Sequence, residues 1–155
     1  MGRSGGHSLA RDVSRFTGRA ESALDDKSRL VVPARFRDRL GERFIITIAE
    51  PDACLALYPQ ATWDAFCERL EAAPVKNEKY RQFVRHLFAH TDEATLDAQG
   101  RLVIAPALRA YASLEKDVVS IGTLTRVEIW SKGKLETSSP SHGDTAAFTT
   151  ELGLY

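Results

Sequence analysis

Two cysteines in 155 residues, Cys54 and Cys67, are too few for a disulfide framework and stand at no metal-binding spacing. Both are expected as small core residues. The chain has no secretory apolar segment and no apolar run of roughly 18 residues, which points to a reducing, cytoplasmic setting without membrane contact. Net charge is lacking too, with 21 basic residues against 21 acidic ones. The fingerprints of common enzymes are missing: there is no Gly-x-Ser-x-Gly, no phosphate-binding loop and no dinucleotide motif. The nearest approach to a catalytic pattern is His86 and His90, four apart on a predicted helix with Asp92 and Glu93 just beyond. It lacks the intervening glutamate of a metalloprotease helix, and histidines near a helix C-terminus are electrostatically favoured anyway. A non-enzymatic chain with no metal and no cofactor is therefore expected.

What is present is an ordinary globular composition, 43% hydrophobic and 27% charged, at a length that suits one domain. Its organising feature is a stretch stated twice. Leu24-Asp-Asp-Lys-Ser-Arg-Leu-Val-Val-Pro-Ala-Arg-Phe-Arg37 returns as Leu96-Asp-Ala-Gln-Gly-Arg-Leu-Val-Ile-Ala-Pro-Ala-Leu-Arg109, at a constant offset of 72. Two units are too few for a solenoid, so they read as halves of one pseudo-symmetric domain. Each copy predicts a polar turn, a short β-branched strand and a helix begun near a proline. Phe36 and Leu40 share one helix face in the first copy, with Gly41 as a left-handed cap. What survives best is an acid, an arginine four residues later and a second arginine eight further on. Core packing has no need of arginine twice in the same place.

Along the chain, residues 1–14 are Gly-, Ser- and Arg-rich and expected to be disordered. Residues 15–58 form the first half, with Phe16 as an anchor and strands at 44–48 and 54–58 around a turn. Residues 59–93 carry two amphipathic stripes, Thr62, Trp63, Phe66, Leu70 and then Tyr80, Phe83, Val84, Leu87, Phe88. They predict an αα-hairpin linking the halves, with its aromatics in the core or at a subunit contact. Residues 94–131 mirror the first half: Leu55, Leu57 and Tyr58 match Val127, Ile129 and Trp130 at the same offset. From 132 to 155 periodicity fades and a loose tail is expected, with Phe148, Leu152 and Leu154 able to dock.

With these residues in view the chain resembles the bacterial MraZ family, which carries two AbrB-like half-domains. The matching stretches are Phe16-Thr-Gly18, Leu24-Asp-Asp-Lys-Ser-Arg29, Cys54-Leu-Ala-Leu-Tyr-Pro59 with Trp63, Asp97-Ala-Gln-Gly-Arg101 and Val127-Glu-Ile-Trp130, in order over residues 16–131. The family's paired Asp-x-x-x-Arg signature falls on Asp25/Arg29 and Asp97/Arg101. The resemblance implies an α+β fold, a pseudo-two-fold swapped-hairpin β-barrel with short helices and the linking hairpin outside. It implies ring-like homo-oligomers that bind direct repeats in double-stranded promoter DNA, usually repressing the division and cell-wall gene cluster. Localisation would be cytoplasmic and nucleoid-associated. Two positions depart from the family: Ser28 replaces the usual glycine, which Gly100 keeps, and Ala105 stands where proline is common.

The candidate DNA-binding residues are Lys27, Arg29, Arg35 and Arg37 in the first half and Gln99, Arg101 and Arg109 in the second. Guanidinium groups stay charged and bind phosphate or guanine edges in bidentate fashion. Residues 27–43 hold six basic groups against two acidic ones, so the first half should supply more of the electrostatic affinity. Asp25 and Asp97 are expected to orient the turns. The bland alternative is that Asp25–Arg29 and Asp97–Arg101 are structural salt bridges, and both roles can coexist. A protein-interaction or antitoxin-like module without specific DNA binding is the rival from another class.

Overall fold

The computed structural model describes residues 15–154, leaving aside the side chain of His142; the segment 1–14, expected to be disordered, lies outside them. In chain order the elements are β1 (Arg19–Ala23), β2 (Arg29–Val31), α1 (Ala34–Leu40), β3 (Phe44–Ala49), β4 (Cys54–Pro59), α2 (Gln60–Glu71), α3 (Glu78–Ala89), β5 (Asp92–Ala94), β6 (Arg101–Val103), α4 (Pro106–Tyr111), β7 (Asp117–Gly122), β8 (Val127–Ser131), α5 (Lys132–Thr137) and α6 (His142–Glu151). This is an α+β architecture. Six strands form one antiparallel sheet in the order β1-β7-β8-β4-β3-β5, while β2 and β6 pair only with each other.

That order is the sequence repeat made spatial. The second-half counterparts of β1, β2, β3 and β4 are β5, β6, β7 and β8, and exchanging them turns the sheet order into itself read backwards. The halves interleave, since β1 pairs with β7, β5 with β3 and β4 with β8. The ladder begins at β1 and ends at β5, so the expected closed barrel is not what these hydrogen bonds draw. Strands of only three residues in β2 and β6 leave the main sheet and form a separate ribbon instead.

The offset of 72 also slips at one strand. Phe44 faces Pro59 while Val118 faces Ser131. Pro59 and Ser131 are 72 apart, so Phe44 corresponds to Val118, 74 residues on. The second half spends two extra residues before β7 and recovers them with a shorter hairpin. There Thr123 donates to Arg126, leaving two residues between, where Ala49 and Cys54 enclose four. A slip of two keeps every side chain on its original face, which a slip of one would not.

Burial follows that facing. Leu55, Leu57, Val127 and Ile129 join Phe16, Leu30, Phe36, Leu102 and Leu108 in the main core, and Phe16 is the anchor its sequence predicted. Cys54, Ala56 and Trp130 point to the other face and form a smaller cluster with Leu135 of α5. Burial pushes the Cys54 thiol up to about 12, as suits an inert core residue. The helical hairpin forms as expected. Asn77 caps α3 by accepting from the Tyr80 amide at 3.0 Å, and the Tyr80 hydroxyl donates to the Leu70 carbonyl at 3.0 Å, tying α3 to α2. Beyond 131 the chain is more regular than periodicity implied. Lys132 pairs with Glu21 at 3.0 Å and Lys134 donates to the Ala53 carbonyl at 2.8 Å, so tertiary tethers hold α5 in place.

Candidate nucleic-acid interface

Each Asp-x-x-x-Arg segment folds into the same turn. The Asp25 carboxylate accepts the amides of Lys27 and Arg29 at 2.9 Å and the Arg29 Nε at 2.6 Å. Asp97 accepts the amides of Gln99 and Arg101 at 2.9 Å and the Arg101 Nε at 2.8 Å. Short polar side chains favour such turns because they satisfy backbone donors locally. These bonds lower both carboxyl pKa values: the backbone N–H of Arg29 or Arg101 contributes most, partial burial opposes it, and the guanidinium adds to it. The acids thus hold Nε and leave the terminal amino groups of Arg29 without a protein partner among the described residues. In Arg101 one of them reaches Gln99 Oε1 at 3.3 Å.

Turn and strand place the two arginines together. In the β2–β6 pairing Arg29 faces Val103 and Val31 faces Arg101. Alternation puts Arg29, Val31, Arg101 and Val103 on one face of the ribbon and Leu30 and Leu102 on the other. The leucines are buried, whereas Val31 is 48% and Val103 62% exposed. Arg29 and Arg101 are diagonal neighbours, a relation that spans roughly 7–8 Å. Two guanidinium groups at that range repel, and the paired acids offset the repulsion.

The second pair of arginines crosses between halves. Val32 donates to the Gly100 carbonyl and Ile104 to the Ser28 carbonyl, so each strand's end docks on the opposite turn. Arg37 of α1 lies over Gly100, where any side chain would overlap its guanidinium. Arg109 of α4 lies correspondingly on Ser28, donating Nη1 to its Oγ at 2.7 Å and Nε to the Leu114 carbonyl at 3.2 Å. The turn residues share a left-handed backbone, with φ of 58° at Ser28 and 75° at Gly100. Serine carries that conformation at a cost, and the Arg109 bond offsets it. The other departure is silent: Ala105 holds φ −62° and ψ 148°, close to −56° and 146° at Pro33.

Of the remaining candidates, Lys27 is exposed at the first turn. Arg35 donates to the Arg19 carbonyl at 2.7 Å and lies 5.1 Å from the Phe36 ring centroid. His86 meets Glu50 at 3.2 Å, and His90 Nδ1 sits 2.8 Å from the His86 carbonyl, with both rings near Tyr111. Among the described residues no three His, Cys, Asp or Glu side chains converge as a metal site.

Comparison with known proteins matches residues 15–86 and 87–140 to the model of the MraZ protein family, described as antitoxin-like. The chain belongs to the MraZ family. A protein of Clostridium acetobutylicum named transcriptional regulator MraZ is 41% identical over 142 residues, covering 90% of this chain and 99% of its own. Proteins of the same name from Clostridium beijerinckii and Desulfitobacterium hafniense are 46% and 47% identical, over 83% and 76% of this chain and 90% and 81% of theirs. The first MraZ match contains Asp25, Lys27, Arg29, Arg35 and Arg37; the second contains Asp97, Gln99, Arg101 and Arg109. The helix α6 lies beyond both.

Sequence reasoning missed Val31 and Val103 as surface residues, because β-branched residues in a strand read as core. The signal was the period-two alternation of Arg, Leu and Val in both copies. It also treated Arg29 and Arg37 as one unit, although interleaving gives Arg37 to the second turn and Arg109 to the first.

Proposed function

We propose that this chain is a transcriptional regulator that reads double-stranded promoter DNA with the outer face of the β2–β6 ribbon. The observation that carries the reading is that face itself, two acid-oriented arginines alternating with two exposed valines on a two-stranded ribbon. A major groove admits such a ribbon, arginine pairs with guanine edges or phosphate, and an apolar side chain suits the thymine methyl group. Lys27, Arg35 and Arg37 flank the face as phosphate contacts, and Gln99 can pair with adenine. Arg109, held by Ser28 and Leu114, acts mainly as a strut. The names of the relatives support the regulatory role.

One copy offers few cations, so tight binding at physiological salt requires several copies on neighbouring direct repeats, joined in a homo-oligomer that closes as a ring. The interleaved strands fit the swapped-hairpin arrangement that the family resemblance implies. The same resemblance implies that this protein is nucleoid-associated and represses the division and cell-wall gene cluster. The test is fluorescence anisotropy on DNA upstream of this protein's own gene against scrambled DNA, at two salt concentrations. Preferential, salt-weakened binding that drops on cutting the repeats to one, and on Arg29→Ala or Arg101→Ala, is the expected result. Binding unchanged by either arginine substitution would remove the ribbon from the mechanism. The family's antitoxin-like description favours one rival, a module bound to another protein; an intact chain that retards no DNA and co-purifies with a stable partner would support it.

A further inference from the structure

Large apolar side chains are left in the open on two elements outside the proposed DNA-reading ribbon. On the hairpin, Phe83 is 45% and Phe88 37% exposed, and on the tail Phe148, Leu152 and Leu154 are 56%, 56% and 68% exposed. Phe83 borders a cavity of about 180 Å³ whose lining includes Glu50, Tyr58, Trp63, Phe66, Leu87 and Arg126, and Phe88 packs against its Trp63 at 5.6 Å between ring centroids. The cavity's polar side chains are already matched, Glu50 by His86 at 3.2 Å. Arg126 donates to the Tyr58 hydroxyl at 2.8 Å and to Glu128 at 2.6 Å, and Thr47 bonds to Thr91 at 2.7 Å. Small-molecule sites run to about 300–1,000 Å³ with convergent polar groups, so this cavity suits one or two apolar side chains instead.

We infer that α6 of one copy docks on this aromatic groove of the next, joining copies head to tail. The inference rests on the homo-oligomer of the proposed function and names its joining surfaces. Charge selects the occupant. α3 carries Lys79, Arg81 and Arg85 against Glu78, three positive to one negative, whereas α6 carries Asp144 and Glu151 and no lysine or arginine. The placement matches as well. Asp144 stands four residues before Phe148 and Glu151 three after, so the acids flank the apolar knob on its own helix face. Lys79 stands four residues before Phe83 of the groove, and Arg85 three before Phe88, which packs on the groove's Trp63. A groove and a knob at different places on one chain make a heterologous contact, the kind that closes rings when the rotation allows.

The test uses full-length chains in sedimentation equilibrium at micromolar concentration, with thermal melts to confirm folding. Phe83→Glu spoils the groove and leaves the tail; Phe148→Glu spoils the tail and leaves the groove. Each alone should raise the dissociation constant of the assembly by roughly 30-fold or more, as loss of an aromatic anchor does. Mixed one to one, the two folded variants still hold one good tail and one good groove, so a dimer that grows no further should appear. Assembly persisting unchanged in both single variants overturns the surface assignment while leaving the oligomer standing. Folded variants that stay monomeric in the mixture overturn the head-to-tail pairing. A wild type that is monomeric from the start overturns both this inference and the oligomer beneath it, whether or not α6 folds back on its own groove.

Discussion

The two halves share a frame and divide the labour within it. Leu24, Leu30, Val32, Phe36 and Leu57 have apolar counterparts in Leu96, Leu102, Ile104, Leu108 and Ile129, nine of these ten buried and Leu96 partly so. Around this frame the polar chemistry diverges. Residues 27–43 carry six basic and two acidic groups, net +4; the equivalent residues 99–115 carry two basic and one acidic, net +1. Conversely, Cys54 and Ala56 of β4 correspond to Arg126, just before β8, and Glu128 within it, a partly buried ion pair that also binds Tyr58 and Trp130. Burial works against the Arg126 charge, and Tyr58 and Glu128 outweigh it, raising its pKa further. Duplicated folds can do this because packing constrains the interior of both copies, while surface and interface positions drift independently.

The largest contrast lies where the helices leave the sheet. Trp63 of α2 is 6% exposed and stacks with Tyr58, Phe66 and Phe88 at ring centroids of 5.3–5.6 Å, whereas its counterpart Leu135 of α5 is only partly buried. Trp63→Ala should therefore cost about 3–5 kcal/mol of unfolding free energy and Leu135→Ala about 1 kcal/mol. Urea denaturation at equilibrium measures both. Equal losses would mean that the tail helix supports the fold as much as the hairpin does.

Next come the crossed arginines. Arg37 makes no side-chain hydrogen bond or ion pair among the described residues, while Arg109 is held by Ser28 and Leu114. Arg37→Ala is expected to weaken DNA binding by about 1–3 kcal/mol and lower the slope of log K against log salt by about 1, with little change in stability. Arg109→Ala should leave that slope alone and lower the melting temperature, since Ser28 and Leu114 lose a donor worth about 1–2 kcal/mol. Salt-series anisotropy paired with thermal melts separates the two; a reversed pattern would make Arg109 the reader and Arg37 the strut.

Much of this was legible from residues alone: the acid–arginine turns, the strands at 44–48 and 54–58, the helical hairpin and the Phe16 anchor all rest on local pattern. What escaped depends on how distant pieces meet. The two-residue slip between β3 and β7 is invisible to motif matching because a longer loop before β7 is cancelled by a tighter hairpin after it. The partnership of Arg37 with Gly100 exists only once the halves interleave. Helix α5 draws its order from Glu21 and Ala53, more than 80 residues away, not from any periodicity of its own.

A smaller effect attends Ser28 itself. Ser28→Gly relieves a left-handed serine, worth roughly 1 kcal/mol, and forfeits a charge-assisted hydrogen bond of similar size, so stability should change by less than about 1 kcal/mol. The sharper readout is local. Without the Oγ acceptor, Arg109 is freed to lie over the first turn as Arg37 lies over the second, and the salt slope of DNA binding should rise toward one additional contact. A slope unmoved by Ser28→Gly would show that the Leu114 carbonyl suffices to hold Arg109.

The smallest expected difference is at the acids, where the halves are alike. Asp25 and Asp97 are held below the usual carboxylate range by the amides of Arg29 and Arg101, then by their guanidinium groups, against a modest cost of burial. A depressed folded pKa means the turn's contribution is fully present above the unfolded value, about 3.9, and is lost as pH falls through the lower folded one. Asp25→Asn and Asp97→Asn should each melt below the wild type at pH 7, and each gap should close as the buffer is taken below about pH 3.9. Because the two turns make the same bonds within 0.2 Å, the two gaps should also be equal. If the Asp25 gap is consistently the smaller, the Arg109–Ser28 bond is carrying the first turn in the acid's place, and the asymmetry of the halves reaches into the one element their sequences repeat most faithfully.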